Sequence, residues 1–513
     1  MSKLSSRRFF RRQKGQALVF STITMVVVLL SLFMMVSSGL LTTEKMRLQN
    51  TTDAAVYSGA LLVSRDYNFS AYTNRAMVAN QVAVAQMVGL TAWARHNDDA
   101  FNGPLPGFWI AGATSMVGFP PSPKALKYTF SDWPSWGRTA ASQKRSALNV
   151  TGSGISALDG LLATLSSSQN LLHLATEFAL KPTISKVIQA NDSDASLSNS
   201  VANVGFAVET VNSVMKFTKQ YPQSGAQRFA EITHASLDPF SGSDSKDIQR
   251  YGPIPNRVTL FDDSFRDWPI PYTGGLRRVW TMHNGGTELS ANFKSWTALD
   301  VSRMWGYSKW WYLDCFLFIC WPASDNFWFT NTLGSGSAVA GSGNVNFGSF
   351  TGNNYKRTYS SYGWVAADQM DGVAKEIFVG GNPKIGKFGG LRPYQDLKVL
   401  ATDPTSRKKI TQTELSTVLI EVEKPTPKLL TMGNMQGGPQ GNVNLGTAKV
   451  PLKLEDRLAG KVMRAVASAE IYFARPEGRS DGKTEWPSLF NPYWQARLKS
   501  VSLQNVAFSN TAQ

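Results

Sequence analysis

ALVFSTITMVVVLLSLFMMVSSGLL, residues 17–41, contains no charge and no proline. Its 25 residues, each rising about 1.5 Å in a helix, more than cover a hydrocarbon core roughly 30 Å thick, so the segment reads as a single membrane-spanning helix. A cleavable signal peptide would carry an apolar region of about 7–15 residues before a small-residue site. Ser37, Ser38 and Gly39 supply such residues, but the run is longer than that. Lys3, Arg7, Arg8, Arg11, Arg12 and Lys14 stand before the span, whereas Glu44, Lys45 and Arg47 behind it nearly balance. Positive charge is retained on the cytoplasmic side, which leaves residues 1–14 as a basic cytoplasmic leader and exports everything after about Thr42.

The full chain has 513 residues, enough beyond the span for a helical region and two or three domains. Of its formal net charge of +16, the leader's share suits anionic headgroups. The remaining excess forms no dense Lys/Arg block, which argues against nucleic acid as a partner. The two cysteines, Cys315 and Cys320, both fall in the exported part, where a disulfide is permitted. Five residues apart in one extended strand they would lie about 16 Å apart, and a disulfide needs Cα atoms within about 7 Å, so a bond requires a bend between them. Two buried thiols in an apolar strand are the alternative.

From Thr42 to about His96 there is no proline, and Leu48, Ala55, Leu62, Val78, Val82, Ala85 and Val88 recur at helical spacing. The span therefore reads as continuing into a helical stalk, with a break expected near Asp66–Ala71 where Asn68 and Ser70 weaken the pattern. The stalk's many alanines permit close helix approach, so it is built to pack on another helix, in its own chain or in a neighbour. The proline-rich stretch 101–123 ends the helix. Further helices are expected over 155–180 and 201–219, with a polar loop over 191–200. Beyond about Val258, RRVWTMH (277–283), WWYLDCFLFICW (310–321) and NFWFTNT (326–332) read as strands, the second buried and turned by Pro322–Asp325. Residues 334–352 read as a Gly/Ser/Asn loop, 364–378 as a helix, 415–421 as a strand and 454–473 as a strand or helix. The expected architecture is α+β, a single N-terminal transmembrane helix continuing into a helical stalk and then a mixed helical and β-rich exported domain. Its divisions are 1–14 leader, 15–43 transmembrane helix, 44–97 stalk, 98–255 mainly helical and 256–513 β-rich.

The first ninety residues resemble the TadE/TadG-like proteins of tight-adherence, Flp-type pilus systems. The resemblance lies in the basic leader, in Gly15-Gln16-Ala17-Leu18-Val19 at the entrance to the span, and in Arg47-Leu48-Gln49-Asn50-Thr51-Thr52-Asp53-Ala54-Ala55 after it. Thr73 to Gln86, with Asn74, Arg75, Asn80 and Gln81, is similar to a segment of longer members. This resemblance implies a single-pass inner-membrane protein with a periplasmic or surface-exposed domain, partnered by pilus-assembly or secretion proteins, and the small residues of the stalk add possible self-association through it. It also implies a leader cleavage between Gly15 and Gln16 in those members that are processed as pseudopilins. Type IV pilins usually place glutamate at mature position five, and Phe20 stands there, so a membrane-retained accessory protein fits the residues better than a minor pilin.

Chemistry-bearing motifs are sparse. His96, His173, His234 and His283 are scattered singly and form no zinc spacing. His173 with Glu177, and Glu231 with His234, read as surface neighbours on helices. Gly381–Lys387 matches part of a phosphate-binding loop, but Phe388 replaces the Mg²⁺-binding hydroxyl, so a turn is the better reading. Asp194, Ser196 and Ser198 have the spacing of a metal-ion adhesion loop, set against a polar surface loop as the plainer reading. Trp305, Trp310, Trp311, Trp321, Phe327, Trp328, Phe329, Tyr355, Tyr359, Tyr362 and Trp364 read mostly as core, a minority as a contact surface. An exported hydrolase or carbohydrate-binding protein using Asp262, Asp263 and Asp267 is the reading from another class. The expectation is a non-enzymatic structural protein with no cofactor and no metal.

Overall fold

A computed structural model describes residues 16–103, 123–241, 259–262, 274–290, 292–341, 384–398, 416–435, 442–445, 448–451, 453, 458, 461–482, 485–502, 504–506 and 509. The architecture is α+β, as the sequence led us to expect: a long N-terminal apolar helix running on into a helical stalk, then a β-rich C-terminal region. Helix α1 (Gln16–Asn102) is unbroken. The break expected at Asp66–Ala71 is absent because the polar residues there serve tertiary bonds. Asn68 donates to Trp494 O at 2.8 Å and accepts from Trp494 N at 3.0 Å, matching a strand end as another strand would. Leader residues 1–14 and Gly15 lie outside the described residues, and Gln16 opens α1.

The chain forms two compact units, Met1–Phe69 with Leu172–Lys219 and Leu397–Gln513, and Ser70–Leu171 with Gln220–Asp396. They cut across the sequential regions 44–97, 98–255 and 256–513 instead of following them. Helices α1 and α2 (Trp133–Asn191) each contribute to both units. α2 is longer than the expected 155–180, and it continues through Pro182, whose missing N–H removes one backbone bond, to the carbonyl of the exposed Phe178.

The first unit packs α1, α2 and α3 (Val201–Phe217) on an antiparallel sheet ordered β1 (Ser196–Leu197), β8 (Thr417–Pro425), β11 (Val462–Phe473), β12 (Trp494–Lys499). Leu48, Ala55, Val56, Ala60, Val63 and Tyr67 of α1 all lie on its buried side, forming a single apolar stripe. Facing them, Met463, Ala465, Ala467, Ala469 and Ile471 alternate along β11, the period of a strand with one face in the core. That alternation makes a strand of 462–473 within 454–473, which read as either strand or helix; residues 454–457, 459 and 460 lie outside the described residues. Three alanines in succession on that face keep the sheet close to the helix. Tyr67, Phe217 and Trp494 close the core with ring centroids 5.4–5.6 Å apart, contacts worth about 0.5–1.5 kcal/mol each beyond their burial. The predicted loop 191–200 contains strand β1, paired through Ser196↔Glu423 and Leu197↔Val422. Helix α3 then starts at its cap Ser200, whose hydroxyl accepts from Asn203 N.

The uncovered edge of β8 is closed by α3. Leu419 N donates to Thr210 Oγ1 at 2.9 Å, Thr417 N to Ser213 Oγ at 2.7 Å and Glu421 N to Asn203 Oδ1 at 3.0 Å. Asn203, Thr210 and Ser213 share one helix face, so a short polar stripe takes the place of a neighbouring strand.

The second unit carries an antiparallel meander, β3 (Thr259–Asp262), β4 (Gly274–Leu289), β5 (Ser295–Phe316) and β6 (Ile319–Gly341). Here the reading of 334–352 as a loop is corrected: Gly334–Gly341 is strand, and 342–352 lies outside the described residues. The glycines serve close approach. A Cβ on Gly334 would lie 2.5 Å from Ala100 N, and one on Gly336 would overlap Ala92 O and His96 N of α1. The twelve-residue piece 310–321 is likewise not one buried strand turned by Pro322–Asp325. It folds on itself at Leu317–Phe318, and residues Asp314–Pro322 are exposed. The 364–378 helix lies outside the described residues. The chain also forms two short strands, β2 (Thr218–Tyr221) and β7 (Tyr394–Leu397), the hairpin of β9 (Asn442–Leu445) and β10 (Ala448–Pro451), and helix α4 (Gln227–Ala235).

Candidate functional site

The residues that the resemblance singles out lie along α1, and the structure divides them by which way they face. Within the first unit Leu48 is fully buried, Gln49 is half-buried, and Arg47 and Asn50 are exposed. Gln49 donates to Asp53 at 2.9 Å, one turn on, and to Val466 O of β11 at 3.1 Å. Arg47 reaches Asp192 at 3.9 Å. Lys45 donates to Arg464 O, and burial pulls its ammonium below the usual lysine range against the opposing charge of Glu421.

Beneath these residues is a cluster that the sequence reading missed. Lys424 of β8 is 2% exposed and donates to Glu44 at 3.0 Å and to Asp192 at 2.9 Å. Burial opposes charge on both ends. Hydrogen bonds to Asp192 and Glu44 nonetheless hold the Lys424 ammonium above its usual range, and bonds from Lys424 and the Asp194 N–H hold the Asp192 carboxyl below its own. A buried cation between two carboxylates fixes the register of α1, α2 and β8 at one point, because each charge is costly without the others. The available sequence signal was Glu44, an acid set directly behind an apolar run and facing the same way as Leu48.

Within the second unit Asn74 and Gln81 are fully buried, Asn80 is half-buried and Arg75 is exposed. Asn74 donates to Gln395 O at 2.8 Å and accepts from Gln169 at 2.7 Å, while Gln169 also donates to Thr73 Oγ1 and accepts from Gln395 N. Gln81 donates to Gly390 O at 3.2 Å and accepts from the Trp296 indole at 2.8 Å. Asn80 returns to Ala76 O of its own helix. Amides satisfied on both ends are directional, so they specify one seating of α1 among its neighbours. Of the two packing partners that the alanines of the stalk allow, its own chain or a neighbour, these positions take its own chain.

His173 is more than a surface neighbour of Glu177. Its ring lies 2.6 Å from Asp66 on α1 and 3.6 Å from Glu177, and the Asp66 bond raises its pKa against the cost of burial. Asp194 pairs with Lys428 at 3.3 Å and Ser198 donates to Glu423 at 2.7 Å, so those adhesion-loop positions are engaged by protein groups. Among the described residues no three His, Cys, Asp or Glu side chains are grouped to hold a metal ion. Asp262 is held by Arg278 through two bonds, whereas Asp263 and Asp267 lie outside the described residues. In the segment read as a turn, Gly386 has φ +65 and sits against Gly152 O, and Lys387 N donates to Ser156 Oγ; Gly381–Pro383 lie outside the described residues. Cys315 and Cys320 are bonded directly across β5 and β6, with Cα atoms 4.1 Å apart, and the turn at Leu317–Phe318 supplies the necessary bend.

Among the described residues of the first unit, two apolar surfaces are exposed. Most of Ala17–Leu41 is exposed, and it lies in the one helix long and apolar enough to cross a membrane among the described residues. The other is a groove of about 800 Å³ lined by Leu180, Ile184, Val204, Val208, Val211 and Leu419. Val204, Val208 and Val211 are at least half exposed and repeat at i, i+4, i+7 on α3.

Residues 15–62 match the Tad family model, described as Flp pilus-assembly TadE/G-like. No curated protein and no solved structure matches the chain. The matched stretch supports a role related to pilus assembly, and it bears on residues 15–62 alone.

Proposed function

We propose that this chain is a membrane-anchored, non-enzymatic component of Flp-type pilus assembly or secretion. The observation that carries the reading is that the matched stretch 15–62 covers both the exposed apolar part of α1 and the buried stripe from Leu48 to Ala60. One helix thus joins an anchor to the core of a folded unit, so force or position at the membrane passes directly into that unit. In this reading α1 crosses the inner membrane once, with the leader in the cytoplasm and the folded part in the periplasm. Because Leu48, Asn74 and Gln81 are spent on internal packing, self-association along the stalk falls to its outward residues, among them Arg47, Asn50, Tyr57, Tyr72 and Arg75. The valine stripe of α3 is the contact face for a helix of a pilus-assembly partner, laid in the groove through matching apolar residues.

Deletion of the gene is expected to abolish Flp-type pili, with rescue by the full chain but not by a chain beginning at Glu44. Wild-type piliation in the deletion strain would overturn the proposal. The second reading, a minor pilin cleaved between Gly15 and Gln16, draws on the same exposed apolar surface, which would pack equally well inside a filament. It is separated by the mature N-terminus.

A further inference from the structure

The β5–β6 ribbon ends in an apolar tip. Among the described residues β4 pairs with β5 as far as Gly274↔Trp310, and β5 and β6 pair on to Phe316↔Ile319. Phe316, Leu317, Phe318 and Ile319 are 68%, 74%, 101% and 70% exposed. Leu317 and Phe318 both have positive φ, 52° and 85°. That turn is ordinarily given to Asn-Gly, and bulky apolar residues strain it. Folding alone gives no reason to place Leu-Phe there, so the apolar character of the tip is what the position provides. The Cys315–Cys320 bond locks the ribbon one residue pair behind the tip.

The occupant is indicated by how the exposure is distributed. Every residue from Asp314 to Pro322 is exposed, on both faces of the ribbon. A protein groove would match one face, whereas a bilayer accepts an apolar tip from all sides. Behind the tip stand Trp321, 46% exposed, and Tyr312, 37% exposed, the residue types that settle at headgroup level. They lie two and four residues behind the apolar rim, roughly 7–13 Å along a strand, comparable to the depth of interfacial insertion. Asp314 and Asp325 outnumber Lys309, whose ammonium sits 4.5 Å from the Trp311 ring. The attraction is therefore hydrophobic and favours uncharged lipid.

Trp296 bonds Gln81 and Ser302 bonds His96, so β5 runs the same way as α1 within this unit. From Ser302 the strand continues for fourteen residues to Phe316, whereas α1 ends six residues after His96. Within this unit the tip leaves past the C-terminal end of α1. We infer that residues 316–319 insert into an uncharged lipid bilayer. This inference rests on neither the anchoring nor the pilus role of the proposed function.

The test uses the full chain held in phosphatidylcholine nanodiscs and mixed with protein-free phosphatidylcholine vesicles, with a lipid-soluble carbene precursor in the lipid. After photolysis, mass spectrometry should find label on the peptide containing residues 316–319, undiminished in 1 M salt (about a 3 Å Debye length). Leu317→Asn with Phe318→Gly supplies the residues this turn favours, so the ribbon keeps its fold and its disulfide, and labelling should fall at least tenfold. An unlabelled tip or equal labelling of the double variant would each overturn the inference. So would protection of the tip by a second copy of the chain. Gene deletion without loss of pili would overturn the proposed function and leave this result standing.

Discussion

Replacing Lys424 by methionine removes the one cation between Glu44 and Asp192, whose side chains are 4% and 3% exposed. Two carboxylates are then left buried, with only the half-exposed Arg47 guanidinium 3.9 Å from one of them. Breaking a buried ionic group in this way costs about 3–5 kcal/mol. At about 1.4 kcal/mol per tenfold change, amide protection along β8 and β11 should drop by roughly two to three and a half orders of magnitude. Hydrogen exchange with mass spectrometry on the full chain in nanodiscs reads that loss peptide by peptide. Adding Glu44→Gln and Asp192→Asn to Lys424→Met should restore most of the protection, since no buried charge is then uncompensated. The pH dependence has a defined sign. Asp192, held below its usual range, contributes stability above its unfolded value near 3.9 and loses it as pH falls through the folded value. Lys424, held above its usual range, contributes below about 10.4 and loses it as pH rises through the folded value. Protection within tenfold of the parent for Lys424→Met, or a triple variant no better than the single one, would refute the reasoning.

Three further outcomes follow from the packing. Gly336→Val forces a side chain into Ala92 O and His96 N, so it should destabilise the second unit by at least about 1–3 kcal/mol, whereas Gly160→Ala, with nothing within 4 Å, should stabilise α2 by about 0.5–1 kcal/mol; thermal unfolding of the two variants checks the contrast. The raised pKa of His173 makes its bond to Asp66 fully effective below about 6.5 and progressively lost as pH rises through the folded value, so the unfolding midpoint of the parent should fall between pH 6 and 9 more steeply than that of His173→Gln. Thr210→Val leaves the Leu419 amide without its partner, at a cost of about 1–3 kcal/mol, and that amide should exchange at least about fivefold faster.

Much of the first helix was legible from apolar spacing, because burial by the chain's own core and burial in a membrane both select the same residue types. What they do not share is exposure: the structure leaves most of Ala17–Leu41 exposed and buries the stripe that begins at Leu48, on either side of the boundary that charge already marks in the sequence. Local pattern failed where a residue's role is set by a distant partner. Asn68 looks like a helix breaker until its amide is seen bonding Trp494, 426 residues away. Glycine and serine over 334–341 look like a linker because composition cannot distinguish a glycine chosen for freedom from one chosen for close approach to Ala92 and Ala100. Leu317-Phe318 carried no turn signal at all, so the bend was placed at Pro322–Asp325 and the apolar tip was read as buried. In the aromatic set the reading as core fails at Trp321, Phe327 and Trp328, which are exposed, while Trp310 and Trp311 are half-buried; Tyr355, Tyr359, Tyr362 and Trp364 and the side chains of Trp305 and Phe329 lie outside the described residues. At the candidate site, Leu48, Asn74 and Gln81 were found through the resemblance, but their partners Gln169, Gln395 and Trp296 belong to remote stretches that carry no motif.

The central claim is that α1 is a retained anchor built into a folded unit. Its most direct test is the mass and N-terminus of the native chain, measured in parallel in the inner-membrane fraction and in filaments sheared from the cell surface. The expected result is a chain that keeps its basic leader and is confined to the inner membrane. A chain beginning at Gln16 in the sheared filaments would contradict the claim and make the protein a filament subunit despite Phe20.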